Sequence, residues 1–129
     1  MTRHALALIL MAFTVSLNAA PLPAPAHAEV EALLLNLEKS GCQFNRNGSW
    51  YSGADARAHL QQKLDYLEGK GLVQTSEQFI EKGASSSSMS GKAYLVRCGT
   101  AAPVESRRWL ETQLSAQRAA AKAAPPGSK

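Results

Sequence analysis

Apolar side chains recur at helical spacing in four stretches of this chain, and between them lie short alternating runs. Val30, Leu33, Leu34 and Leu37 fall on one face of a helix over residues 29–39, with Glu31 and Glu38 elsewhere on the wheel. Ser40-Gly41 closes it, glycine being the usual residue where a helix turns left-handed. Residues 42–51 then alternate around Asn47-Gly48, a pair that tolerates positive φ and predicts a tight hairpin. Ser52, with Asp55 three residues on, opens a second helix whose inner face is Ala56, Leu60, Leu64 and Leu67; Gly69 and Gly71 end it, and His59 sits beside that face. Thr75 and Gln78 form a capping box for a short helix carrying Phe79 and Ile80, closed by Gly83. Residues 85–90, all serine except Met89, read as a mobile loop, and Ala93 to Cys98 is the strongest strand. A last helix begins near Val104 or Ser106 and turns Trp109, Leu110 and Leu114 inward. Its alanine-rich continuation is expected to stay helical to about Ala123 and to fray, before Pro125-Pro126-Gly127 ends all structure.

The order α-β-β-α-α-β-α predicts an α+β fold, a small three-stranded antiparallel sheet packed against four helices, the sheet made of the hairpin and one later strand. The periodicity leaves the strand order open.

The amino terminus reads differently. Arg3 and His4 precede an uncharged apolar run from Ala5 to Leu17, and Ala26-His27-Ala28 forms a small-x-small site before Glu29. A basic start, an apolar stretch too short to span a bilayer comfortably and such a site make a secretory signal. Ala19-Ala20 is also cleavable, but Pro21 would then stand at the first mature position, so cleavage after Ala28 is preferred. The expected organisation is a cleaved signal over residues 1–28, one domain over 29–117 and a flexible tail over 118–129, in a periplasmic or secreted protein without a membrane anchor.

Export changes the meaning of the cysteines. Cys42 and Cys98 are the two in the chain, neither has a CxxC partner or a nearby histidine, and a disulfide between them is expected in an oxidising compartment. Closing the segment 42–98 is worth about 4 kcal/mol by the chain-entropy argument. Metal and redox roles find no support. The charge balance is also local. Fourteen Lys and Arg stand against ten Asp and Glu, and Arg3 with Arg118, Lys122 and Lys129 accounts for the excess of four. The fold between residues 29 and 117 is neutral, which argues against nucleic acid as a partner.

Cys42-Gln43-Phe44-Asn45-Arg46-Asn47-Gly48, Ala58-His59-Leu60 with Lys63, Phe79-Ile80 and Ser90-Gly91-Lys92-Ala93-Tyr94-Leu95-Val96-Arg97-Cys98 together resemble the YfeK-like family of small exported bacterial proteins, a domain of unknown function. Members usually carry proline where this chain has Ala93. The resemblance spans residues 29–114 and implies export and a shared fold; it supplies no activity.

Candidate chemistry is sparse. Gly91-Lys92 lacks the glycine five positions earlier and the hydroxyl residue after it that a P-loop requires, those positions holding Ser86 and Ala93. His59 is the sole histidine after residue 28, so an envelope hydrolase would have to use it, but no GxSxG or SxxK accompanies it. No pair among Asp55, Asp65, Glu68, Glu77 and Glu81 is singled out for acid–base work. Ser90-Gly91-Lys92-Ala93-Tyr94 fits an S-G-x-x-Y pattern found in periplasmic inhibitors of c-type lysozyme, although those are β-barrels. The preferred expectation is a non-enzymatic module, without cofactor, that binds a protein or envelope component. Its candidate contacts are Ser90, Lys92 and Tyr94, with Arg46 and Asn47 on the hairpin, because loops held by a stapled scaffold commonly carry binding.

Overall fold

The computed structural model describes residues 21–124 together with Ala12. The signal expected over residues 1–28 therefore lies largely outside the described residues. No described helix is long and apolar enough to cross a membrane.

Four helices and four strands follow one another as α1 (Ala24–Lys39), β1 (Gln43–Arg46), β2 (Ser49–Tyr51), α2 (Gly53–Gly69), α3 (Ser76–Gly83), β3 (Leu95–Arg97), β4 (Val104–Glu105) and α4 (Ser106–Ala123). The sheet is antiparallel in the order β2-β1-β3-β4. The expected α+β class holds, with one correction: there are four strands, not three. Val104 and Glu105 pair with Val96 and Leu95 before the last helix starts. Two exposed residues after a proline carry no alternation, so pattern alone assigned them to a loop or to the helix start.

The predicted local signals are realised. Asn47 and Gly48 take φ of 53° and 85°, the two consecutive left-handed residues that a two-residue hairpin needs. Ser52 accepts a hydrogen bond from the Asp55 amide, and Thr75 accepts one from that of Gln78. The Gln78 side chain reaches back to the Gln74 amide, one residue before the cap. Helix α1 starts five residues earlier than periodicity alone indicates, with Pro25 in its first turn, where the absent N–H has no partner to lose.

Phe44 and Val96, paired across β1 and β3, lie on the buried face of the sheet; Gln43 and Arg97, the next pair, lie on the other. The buried face packs on α2 and α4, and α1 runs against α2 with Val30, Leu33, Leu34 and Leu37 all buried. Each such leucine stabilises the fold by roughly 2 kcal/mol. Gly53 marks the closest approach of α2 to α1, since a Cβ there would lie 2.7 Å from the Leu37 carbonyl oxygen. Cys42 and Cys98 are joined by a disulfide with Cα atoms 4.2 Å apart, immediately beyond the Gln43–Arg97 pair, so the staple extends the β1–β3 ladder. Arg118 is held by Glu29 of α1 and Glu77 of α3, fastening α4 across two helices well past Leu114.

Candidate functional site

Sheet alternation decides which polar groups meet α2. Arg46 follows Phe44 by two residues, and Tyr94 precedes Val96 by two, so both side chains share the inner face of the sheet. On α2, His59 and Lys63 stand one turn apart and face them. The four converge. An Arg46 guanidinium nitrogen lies 2.6 Å from His59 Nδ1, while His59 Nε2 and Lys63 Nζ lie 3.2 and 3.1 Å from the Tyr94 hydroxyl. Lys63 also donates to the Ser86 carbonyl at 3.1 Å, and its ammonium rests 4.9 Å from the centre of the Tyr94 ring. Tyr94 itself is buried against Phe44, ring centres 5.0 Å apart.

Counting protons defines the chemistry. Arginine only donates, so His59 Nδ1 accepts, and the neutral imidazole carries its hydrogen on Nε2. That hydrogen and one from Lys63 go to the Tyr94 oxygen, which fills both its lone pairs and leaves the phenolic O–H still to be donated. Arg46 and Lys63 keep further N–H groups. Among the described residues, no carboxylate forms an ion pair with Arg46 or Lys63. The cluster holds more donors than acceptors and two uncompensated positive charges. Burial, with Arg46 and then Lys63 nearby, holds His59 below its ordinary value, and burial with Arg46 lowers Lys63. Burial raises the Tyr94 phenol, which keeps it protonated.

The cluster opens into a cleft of about 180 Å³, also lined by Asn47, Ser87, Ser88 and Met89. The 85–92 segment beside it, expected as a mobile loop, is drawn together by backbone hydrogen bonds. Ser87 N–H donates to the Lys92 carbonyl, Gly91 N–H to that of Ser87, and Tyr94 N–H to that of Ser85. Ser87 is buried, and its hydroxyl accepts from Asn47 and from the amides of Met89 and Ser90.

Of the five contact residues expected from sequence, Arg46, Asn47 and Tyr94 line this cleft. Ser90 stands at its edge, donating to Asn47 Oδ1 at 2.6 Å. Lys92 is exposed and is not among the lining residues. The stretch 90–94 therefore does not present three side chains to one surface: the Ser90 hydroxyl is engaged and Tyr94 turns into the core. His59 has both ring nitrogens engaged by Arg46 and Tyr94, not by a serine hydroxyl. His59, weighed only as a catalytic group, and Lys63 are the members missed as contacts; their spacing of four residues on one helix was the available signal.

An α+β domain with a disulfide-tied sheet and a cation-lined cleft is thus the class of protein at hand. The chain belongs to a family of unknown function, DUF5329, whose model matches residues 24–118. It is 41% identical over 68 residues to the uncharacterized protein YfeK of Salmonella typhimurium, an alignment that covers 52% of this chain and 55% of that protein. The match thus reaches about half the length of that curated relative. No solved structure matches the chain.

Proposed function

We propose that this protein is an exported, non-enzymatic binding module of the cell envelope that receives an anionic group of its partner in the cleft formed by Arg46, His59, Lys63 and Tyr94. The observation that carries the reading is the imbalance in that cleft: two cations without a carboxylate partner, beside a phenol oxygen whose lone pairs are both filled. Water alone compensates such a set poorly when half-buried, whereas an oxyanion accepts from all of its members and forms charge-assisted bonds. Export is supported by the apolar run after Arg3 and by the Cys42–Cys98 disulfide.

The test is an amide-resolved NMR titration of the protein with sodium acetate and with inorganic phosphate. Saturable shifts centred on Arg46, His59 and Lys63, abolished in an Arg46→Gln, Lys63→Gln double variant that keeps the parent spectrum elsewhere, are the expected result. Perturbation that is linear in anion, or equal in the variant, refutes the reading. Inhibition of a c-type lysozyme through residues 90–94 is the alternative, with the exposed Lys92 on its side; unchanged lysozyme activity at excess protein removes it.

A further inference from the structure

The anion cleft does not stand alone along α2. Towards the start of that helix a second cleft of about 240 Å³ is walled by Phe44, Tyr51 and Ala56, with Arg46, Asp55 and His59 at its edge. Towards its end a third, of about 190 Å³, is walled by Tyr66 and Leu67, with Lys63, Lys82 and Ser88. His59 lines all three, so they adjoin. Two large apolar side chains, Met89 at the central cleft and Tyr66 at the later one, are 98% and 62% exposed and contribute nothing to the core.

We propose that these clefts form one groove for an extended segment of a partner polypeptide, in which an internal Asp or Glu side chain enters the central cleft and apolar side chains on both sides of it fill the outer two. The proposal rests on the anion-binding reading and specifies its ligand. Three features select this occupant.

The first is length. From Asp55 to Leu67 the helix advances about 18 Å at 1.5 Å per residue, which matches five to six residues of extended chain at about 3.3 Å each.

The second is capacity. An enclosed apolar cavity of about 150 Å³ accepts a benzene-sized group, so the outer clefts are large enough for an aromatic or branched aliphatic side chain.

The third is the order of chemistry along the groove: an apolar wall of Phe44, Tyr51 and Ala56, then the cationic, donor-rich centre, then Tyr66 and Leu67 beside Lys82. A free carboxylate terminus places apolar groups on one side of the charge only, and so does a lipid headgroup. An internal acidic residue places them on both.

The experiment titrates the intact protein with acetyl-Phe-Ala-Asp-Ala-Leu-amide, in which alternate side chains share one face of an extended chain, with its counterpart carrying alanine for Phe and Leu, with its Asn-for-Asp counterpart, with acidic phospholipid vesicles, and with acetate. The Phe-Ala-Asp-Ala-Leu peptide is expected to bind at least about tenfold more tightly than either peptide control, with amide shifts at Ala56 and Leu67 beyond those acetate causes. A Tyr66→Ser variant changes an exposed position that lines the later cleft and not the central one. It should lose several-fold in peptide affinity and leave the acetate response unchanged. If acetate binds but the peptide with alanine for Phe and Leu binds as well as the Phe-Ala-Asp-Ala-Leu peptide, the groove is overturned and the anion site stands. If acidic phospholipid vesicles bind and no peptide does, the polypeptide assignment is overturned. If neither acetate nor any peptide perturbs the cleft, both readings fall together.

Discussion

Replacing Tyr94 by phenylalanine removes one oxygen and tests whether the cluster is wired as described. The ring of Tyr94 is fully buried against Phe44 and stays so in the variant, and the Lys63 ammonium keeps its place over the aromatic face. What disappears is the acceptor of two hydrogen bonds, from His59 Nε2 at 3.2 Å and Lys63 Nζ at 3.1 Å. A neutral donor is worth about 1 kcal/mol and a charged one about 2. Both donors are partly exposed and recover some of that by turning to water, so the net loss is about 1–2 kcal/mol. Truncation to alanine, which also empties the ring's place beside Phe44, costs about 3–5 kcal/mol. With a urea slope of about 1–1.5 kcal/mol per molar, Tyr94→Phe lowers the unfolding midpoint by roughly 1 M and leaves the slope unchanged. A variant whose midpoint coincides with the parent's means that the hydroxyl accepts from neither donor, and the proton count behind the proposed anion site then collapses.

Other perturbations probe the frame around the cleft. Cys42→Ser with Cys98→Ser should lower stability by up to about 4 kcal/mol, read as a urea midpoint shift that is reproduced in the parent by reductant and absent from the variant on adding it. Gly53→Ala forces a Cβ against the Leu37 carbonyl oxygen and should destabilise by about 1–2 kcal/mol despite alanine's better helix propensity; an unchanged midpoint would show that α1 and α2 are free to separate there. His59 is held below its ordinary 6.5 by burial, then by Arg46 and Lys63, so the unfolded chain binds more protons near neutrality and stability falls as the pH drops from about 7.5 through 6.5 towards 5.5. His27 has the opposite sign: the Glu68 hydrogen bond raises it, and its contribution is fully present below 6.5 and lost as the pH rises through the folded value. A chain beginning at Glu29 carries His59 alone, so its stability should fall on acidification over this window, and His59→Gln should flatten the profile; a slope that survives the substitution refutes the assignment.

Much of the frame was legible because it rests on local rules. Helical spacing of Val30, Leu33, Leu34 and Leu37, and of Ala56, Leu60, Leu64 and Leu67, marked the faces that meet between α1 and α2. Asn47-Gly48 set the hairpin, and Cys42 and Cys98, placed at the start of one predicted strand and the end of another, gave the disulfide that ties them. The rest depended on long-range pairing. Val104 and Glu105 become a strand only because β3 offers an unpaired edge beside them. Pro23 and Pro25 resemble a leader's end in composition, yet proline equally begins a helix, and only the packing of Leu22 on the core decides that this segment is folded against it.

The cleft shows the same division more sharply. No single stretch of sequence contains it. Arg46 belongs to a hairpin, His59 and Lys63 to a helix, Tyr94 to the entry of a later strand, and their meeting requires β1 beside β3 with α2 against β1 and the residue that leads into β3. What the sequence does carry is the separate parity of each element: two residues from Phe44 to Arg46, two from Tyr94 to Val96, four from His59 to Lys63. Once the disulfide fixes β1 against β3, these parities oblige Arg46 and Tyr94 to point the same way. The staple at Cys42–Cys98 therefore does more than stabilise a small core. It locks the register that brings a cation from one strand and a phenol from another under the same helix, and its loss should disperse the Arg46–His59–Lys63–Tyr94 cluster before it unfolds the helices.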